Sequence, residues 1–409
     1  MAVSLQARII FPVDRPPIEH GFVTIDGKRI VAVGANAPSG EVIDLGAVAL
    51  LPGLVNAHTH LEFSHLSRPL GAPGMPLADW IRLVIAERGR SDDSGDEAIA
   101  AGLRESIRHG VTTIGEILAG NASPAYGEAD VTAFVEVIGF SRARAQSALV
   151  ATIERIHQFD RTINRIWLGV SPHTPYTVSP ELLKQLVGMA RGRGFPVAMH
   201  LAESADELEL LESGTGRFQE LLDERSMWDD AAIPHGSRPL DYLRMLAEAP
   251  RALVIHGNYL DEEECAFLAA NSERMSLIHC PRTHSYFFHP PFQLSQLLAN
   301  GVRVALGTDS RASTPDLDLL AEMRHVARLH PQLDPHDILR MGTLAGALAL
   351  GRENEVGRIA PGTLANLVAI PVPEVAGATA SDLLAAMFAD GAAPRLVGLR
   401  GNLAQLTES

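Results

Sequence analysis

The stretch Val48–Glu62, VALLPGLVNAHTHLE, decides how the rest of the chain is read. An apolar run passes through Pro52-Gly53 and ends on two histidines, His58 and His60, one threonine apart. Side chains two apart in a strand point to the same face, so both imidazoles can share one side at a strand end. Neutral imidazole suits zinc and other divalent first-row metals. Taken alone, the pair fits surface or packed histidines as well as a metal site.

Working outward, the same texture recurs. GVTTIGEIL, VTAFVEVIGF, RIWLGVSPHTP, PVAMHLAES, RALVIHGNYL, RMSLIHCPRTH and VRVALGTDS are short apolar runs separated by amphipathic stretches. In SPELLKQLVGMARGRG, Leu182, Leu183, Leu186, Val187 and Ala190 recur at helical spacing, and Ser179-Pro180 supplies an N-cap and a first-turn proline. Roughly eight strand-then-helix units predict a parallel sheet closed into an α/β (β/α)8 TIM-type barrel. An open doubly wound sheet is the alternative. Its dinucleotide-binding version is weakened because no GxGxxG follows the first strand.

Both chain ends read differently. ARIIFPV, GFVTIDG and RIVAVG near the start, and NEVGRIAPGTLANLVAIPV and PRLVGLRGN near the end, are short strands with Gly and Pro turns. They predict a small β-sandwich built from residues 1–50 and 355–409, with the barrel over 51–354.

The 409 residues include 49 Asp+Glu against 34 Lys+Arg, a formal net charge of -15. That balance gives no general attraction for nucleic acid or anionic lipid, and no run is apolar over the ~20 residues a membrane span needs. The two cysteines, Cys265 and Cys280, form no CxxC pair or disulfide framework. With no leader-like start, the expectation is a cytoplasmic protein acting on a small molecule. An assembly of identical copies stays open.

In a barrel of this kind the active site lies at the carboxyl ends of the strands. His58 and His60 end the first strand. His173 lies near the end of the fourth, His200 at the end of the fifth with Glu203 beyond, His256 at the sixth, His279 at the seventh and Asp309 at the eighth. The chain has 16 histidines, so this placement is hard to ascribe to scatter.

PGLVNAHTHLE, HLAES, HGNYL, HCPRTH and LGTDS, in that order, resemble the amidohydrolase superfamily over nearly the whole chain, in the branch of nucleoside and nucleobase deaminases and chlorohydrolases. The resemblance implies that His58, His60, His200 and Asp309 bind a catalytic divalent metal, zinc first, with iron or manganese as alternatives. Relatives with two metals carry a lysine or carboxylate after the fourth strand; RIWLGVSPHTP has neither, so one metal is expected. The resemblance further implies that Asp309 also accepts a proton from water, that His256 orients the nucleophile, and that Glu203 carries a proton to a ring nitrogen. Helix-capping roles are the structural alternatives for Glu203 and Asp309.

The expected substrate contacts are Glu62, Trp80, His173, Arg282 and His284. Related deaminases use a glutamate on the helix after the first strand to hold ribose. Here Glu87 comes about two residues early and Gly89 stands at the position itself. Arg282 and His284 belong to HCPRTHSYFFHPPF, whose Tyr286, Phe287 and Phe288 offer an apolar wall. This loop and NAHTHLEFS look most like those of enzymes deaminating aminopurine nucleosides such as aminodeoxyfutalosine. The implied reaction is hydrolytic release of ammonia from an aminopurine nucleoside or related N-heterocycle. Dechlorination or cyclic-amide opening is the alternative, and a non-catalytic binding barrel is the third reading.

Overall fold

The structure is a computed structural model. It describes residues 2–403 apart from 38, 90–94, 121, 123–125, 128, 163–165, 376 and 390. Eight parallel strands, Leu54–Thr59, Val111–Leu118, Asp130–Val137, Ile166–Pro172, Pro196–Leu201, Arg251–His256, Met275–His279 and Val304–Leu306, lie side by side in chain order. They are called here the first to eighth barrel strands. Leu54–Thr59 and Val111–Leu118 are buried at every position, as strands covered on both faces must be. The sheet closes where Thr59 bridges Asp309 in parallel, the Asp309 N–H donating to the His58 carbonyl at 3.1 Å.

Inside the barrel sit Val55, Ala57, Ile117, Phe134, Ala198, Leu253, Ile255, Ile278 and Ala305, joined by Ala345, Ala347 and Leu350 of the helix Leu344–Leu350. A filled interior leaves the strand ends as the place for a site. The outer helices bury their apolar stripes on the strands. In Pro180–Arg193 the buried residues are Leu182, Leu183, Leu186, Val187 and Ala190. Ser179 Oγ accepts from the Leu182 N–H at 3.3 Å, and Gly194, at φ 72°, ends the helix. The expected alternation fails once. No helix is assigned among the described residues between the second and third strands.

The ends of the chain form two further sheets. One orders Arg29–Gly34, Phe22–Asp26, Val3–Gln6 and Glu41–Asp44. The other orders Asn402–Leu403, Arg395–Leu399, Leu367–Pro371, Val48–Pro52, Ile9–Ile10 and Ile18–Glu19. Leu5, Ile10, Val23, Ile25, Leu50, Leu367 and Val397 share one core between them. Residues 404–409 of the expected sandwich lie outside the described residues. Val48–Pro52 pairs with Leu367–Pro371, and the chain then enters the barrel through Gly53. A Cβ on Gly53 would stand 2.1 Å from Thr112 Oγ1, so the crossing is too close for a side chain. No helix among the described residues is long and apolar enough to cross a membrane.

Candidate metal and active site

Strand order turns distant histidines into neighbours. The first strand carries His58 and hands His60 to the 3-10 turn Leu61–Phe63. The fifth presents His200, the sixth ends on His256, and the eighth runs on to Asp309. His58, His60 and His200 each offer a nitrogen, and all three lie within 4.8 Å of one another. His60 Nε2 and His200 Nε2 are 3.3 Å apart. Asp309 Oδ1 is 3.6 Å from His58 Nε2 and 3.9 Å from His60 Nε2. Glu203 Oε1 lies 3.4 Å from His256 Nε2. All six side chains are buried.

Several groups hold this arrangement. The His200 Nδ1–H donates to the His173 carbonyl at 3.2 Å, which leaves the Nε2 lone pair facing the cluster. Asn56 Oδ1 accepts from the Thr308 N–H at 3.1 Å, and its Nδ2 donates to Thr308 Oγ1 at 2.8 Å. Ser313 Oγ donates to Asp309 Oδ2 at 3.0 Å. Ala202, His256 and Asp309 have φ of 52°, 68° and 58°, in the left-handed region that side chains rarely adopt. Such backbone costs roughly 1–3 kcal/mol per residue and persists where the surroundings enforce it. Here Glu207 enforces it at the fifth strand's end, accepting from the N–H of Ala202 at 2.8 Å and of Glu203 at 3.0 Å.

The donor set fits a divalent cation. Burial, aided by neighbouring histidines, holds His60 and His200 well below the ordinary imidazole range, so they are neutral and can ligate. Among the described residues, both nitrogens of His58 and Nδ1 of His60 are buried without a hydrogen-bond partner. Buried polar atoms are nearly always satisfied, and a cation would satisfy those that face the cluster. Burial works against ionisation of Asp309. The imidazole of His58, 3.6 Å away, and those of His256 and His60 outweigh it and hold the carboxyl below the usual range. Glu203 goes the other way: burial, then the charges of Asp309 and Glu207, push it well above that range. Two buried carboxyl groups in one site are thus driven apart.

A cavity of about 440 Å3 opens onto this cluster. His60, His200, Glu203, His256 and Asp309 form its floor, and Phe63, Leu77, Ile81, Val84, Ile85, Ile138, Leu221 and Met227 contribute apolar wall. Trp80 and His173 line it as well. The Trp80 indole donates to the Ala312 carbonyl at 3.3 Å and meets the Phe287 ring edge-on. Burial, then the Arg88 charge, pushes His173 down to about 3, so it presents a neutral ring.

Three expected contacts do not line the cavity. Arg282 turns into the protein: Nη1 lies 2.8 Å from Asp316 Oδ1, and Nε donates to Glu322 Oε1 at 2.5 Å. Glu322 is fully buried, which pushes its carboxyl up to about 7, and that guanidinium is what favours its charged form. The ring of His284 packs among His279, His289 and Phe292. Glu62 accepts from Arg88 Nη2 at 2.5 Å, and it is Arg88 that reaches the cavity. The sequence reading missed Arg88, because an arginine in the last turn of a helix reads as a dipole partner or a solvated charge. Glu87 turns away, its carboxylate 3.2 Å from His65 Nε2.

A closed (β/α)8 barrel with imidazoles and carboxyls converging at its strand ends is the architecture of a metal-assisted hydrolase. The chain belongs to the amidohydrolase family, whose model matches residues 49–394. It is 30% identical over 410 residues to a 5-methylthioadenosine/S-adenosylhomocysteine deaminase of Nitratidesulfovibrio vulgaris (strain Miyazaki F), covering 90% of this chain and 83% of that one. A Pyrococcus furiosus protein of the same name is 31% identical over 369 residues, covering 86% and 81%. The fold matches that of Helicobacter pylori aminofutalosine deaminase in complex with methylthio-coformycin, with a TM-score of 0.83, 22% identity and 98% and 99% of the two chains covered. It also matches an adenosine deaminase from Xanthomonas campestris with bound zinc, with a TM-score of 0.75, 24% identity and coverage of 98% and 94%.

Proposed function

We propose that this protein is a metal-dependent hydrolytic deaminase that releases ammonia from an aminopurine nucleoside. The observation that carries the reading is the convergence of His58, His60, His200 and Asp309 in one buried cluster, with His256 and Glu203 3.4 Å apart beside it. Family membership and the deaminase relatives support it. His58, His60, His200 and Asp309 would hold one divalent ion, zinc first. When bound, that ion supplies the Lewis acidity that makes a water nucleophilic near neutral pH.

The chain's own residues do the rest. Asp309 accepts the proton given up by the attacking water, and its own orientation is held by Ser313. His256, 3.4 Å from Glu203, orients the nucleophile at the floor of the cavity. Glu203 enters as the carboxylic acid and protonates the ring nitrogen, which lets the attacked carbon become tetrahedral. As the tetrahedral adduct collapses, the amine leaves with the proton that Asp309 took from water, and Glu203 takes the adduct's hydroxyl proton, so both carboxyls return to their starting forms. The apolar wall receives the heterocycle, with Trp80 and His173 at its edge.

The division into a sandwich of 1–50 and 355–409 and a barrel of 51–354 belongs to the same reading, as does a cytoplasmic location; the separate sheets support the division. The test is ammonia release by zinc-loaded protein from adenosine, 5'-deoxyadenosine, 5'-methylthioadenosine, S-adenosylhomocysteine and aminodeoxyfutalosine, with atrazine as a chloride-release control. Ammonia from at least one nucleoside supports deamination. Chloride from atrazine with no ammonia from any nucleoside replaces it with the dechlorination reading.

A further inference from the structure

Glu116 carries a fully buried carboxyl group on the second barrel strand, and the function described above does not use it. It is not among the residues lining the cavity. Its hydrogen bonds go to two places. Thr59 Oγ1 donates to its Oε2, and the Leu61 N–H donates to Oε1 at 3.0 Å and to Oε2 at 3.2 Å. Thr59 and Leu61 are the residues on either side of His60.

The local backbone explains the need. Thr59 pairs with Glu116 across the ladder, but the register between the two strands shifts between Asn56 and Thr59. His60 then leaves strand geometry, at φ -125° and ψ 84°, and the chain turns into Leu61–Phe63. Among the described residues the ladder with the second strand ends at Thr59, and the buried Leu61 N–H would lack a partner without the carboxyl group. A side chain accepting hydrogen bonds from both flanks fixes the position of the residue between them.

We infer that Glu116 is a positioning residue for the metal ligand His60: by gripping Thr59 and Leu61 it holds the imidazole at its 3.3 Å approach to His200. The inference rests on the metal reading above. Glu116 touches neither metal nor substrate, so its effect is on how tightly the site keeps its ion.

The test is zinc affinity of the full chain, stripped with chelator and titrated against a chromophoric zinc chelator, with circular dichroism to establish the folded state. Glu116→Gln keeps the size but replaces one acceptor oxygen with a donor. It is expected to weaken zinc binding about 10- to 100-fold in folded protein, the range for loss of an outer-shell partner. Thr59→Val removes one grip and leaves the Leu61 bonds, and is expected to weaken binding by less. A zinc Kd within about two-fold of wild type in folded Glu116→Gln overturns the inference. If Glu116→Gln does not fold, Thr59→Val carries the test, and an unchanged Kd there overturns it. A purely structural role would lower the melting temperature and leave the Kd of the folded protein alone. Wild type that takes up no zinc sinks the metal reading itself, whereas tight wild-type binding with unchanged variants sinks only the role of Glu116.

Discussion

The Asp309 backbone N–H donates to the carbonyl of His58 at 3.1 Å, so the seam that closes the barrel also joins two members of the candidate metal site. Their side chains meet on the same side of that seam, with Asp309 Oδ1 3.6 Å from His58 Nε2. Closing the sheet and assembling the site are one event. A chain that fails to close cannot hold the ion, and an ion that spans the seam helps to keep it closed.

Zinc should therefore stabilise the fold measurably. A ligand that binds only the folded form adds about 2.7 kcal/mol when present at 100 times its Kd. Stripped protein should melt at a lower temperature, and stoichiometric zinc should restore the original melt. Identical melting curves for stripped and refilled protein would contradict this.

Asp309→Asn keeps the shape of the side chain and removes its charge. The Ser313 and backbone contacts can persist, so the fold should survive. Ammonia release should fall to background and zinc content should drop. Turnover near wild type would remove Asp309 from the mechanism.

Glu203→Gln should separate proton transfer from metal binding. The residue lies against His256 and is not in the three-histidine group. Zinc content should stay at the wild-type level while kcat falls about 10²- to 10⁴-fold, the usual contribution of a general acid. Loss of zinc in this variant would reassign Glu203 to the metal.

Arg282→Ala tests whether that arginine is structural. It would leave the buried Glu322 carboxyl without its guanidinium, at most about 3–5 kcal/mol for breaking one side of a buried pair, because a carboxyl already pushed up to about 7 can take up a proton instead. Chemical denaturation should show this loss. The KM of the folded fraction should stay unchanged, because the guanidinium is not part of the cavity wall. A large KM change with unaltered stability would return Arg282 to the substrate.

His109 offers a pH test away from the site. Its Nδ1 lies 3.2 Å from Asp318 Oδ2, at the end of the helix Asp96–Arg108, and that hydrogen bond raises the imidazole above its ordinary range. A raised folded value means the contribution is complete below about pH 6.5 and is lost as pH rises through the folded value. The ring is about a third exposed, so the effect should stay below about 1 kcal/mol. His109→Gln should lower the melting temperature more at about pH 5.5 than at about pH 8.5. An equal drop at both would show that the pair does not contribute through charge.

Read without coordinates, the chain carried its barrel, its family resemblance and the residues that converge at the strand ends. Those features are local: apolar runs of strand length, helical spacing between them, and a histidine or aspartate where six of the eight runs stop. The parallel order of the sheet then brings strand ends together whatever the loops do, which is why His58, His60, His200 and Asp309 could be grouped before their distances were known. The direction of side chains beyond the strands was not legible. HCPRTH reads the same whether Arg282 faces a ligand or Glu322, and the latter lies forty residues away in sequence. Arg88 reaches the cavity and Glu87 does not because adjacent positions on a helix point about 100° apart, and only packing sets which one faces inward. Glu116 looks, in sequence, like a charge interrupting a buried strand. Its pairing with Thr59 and Leu61 depends on a register shift that exists only between two folded strands.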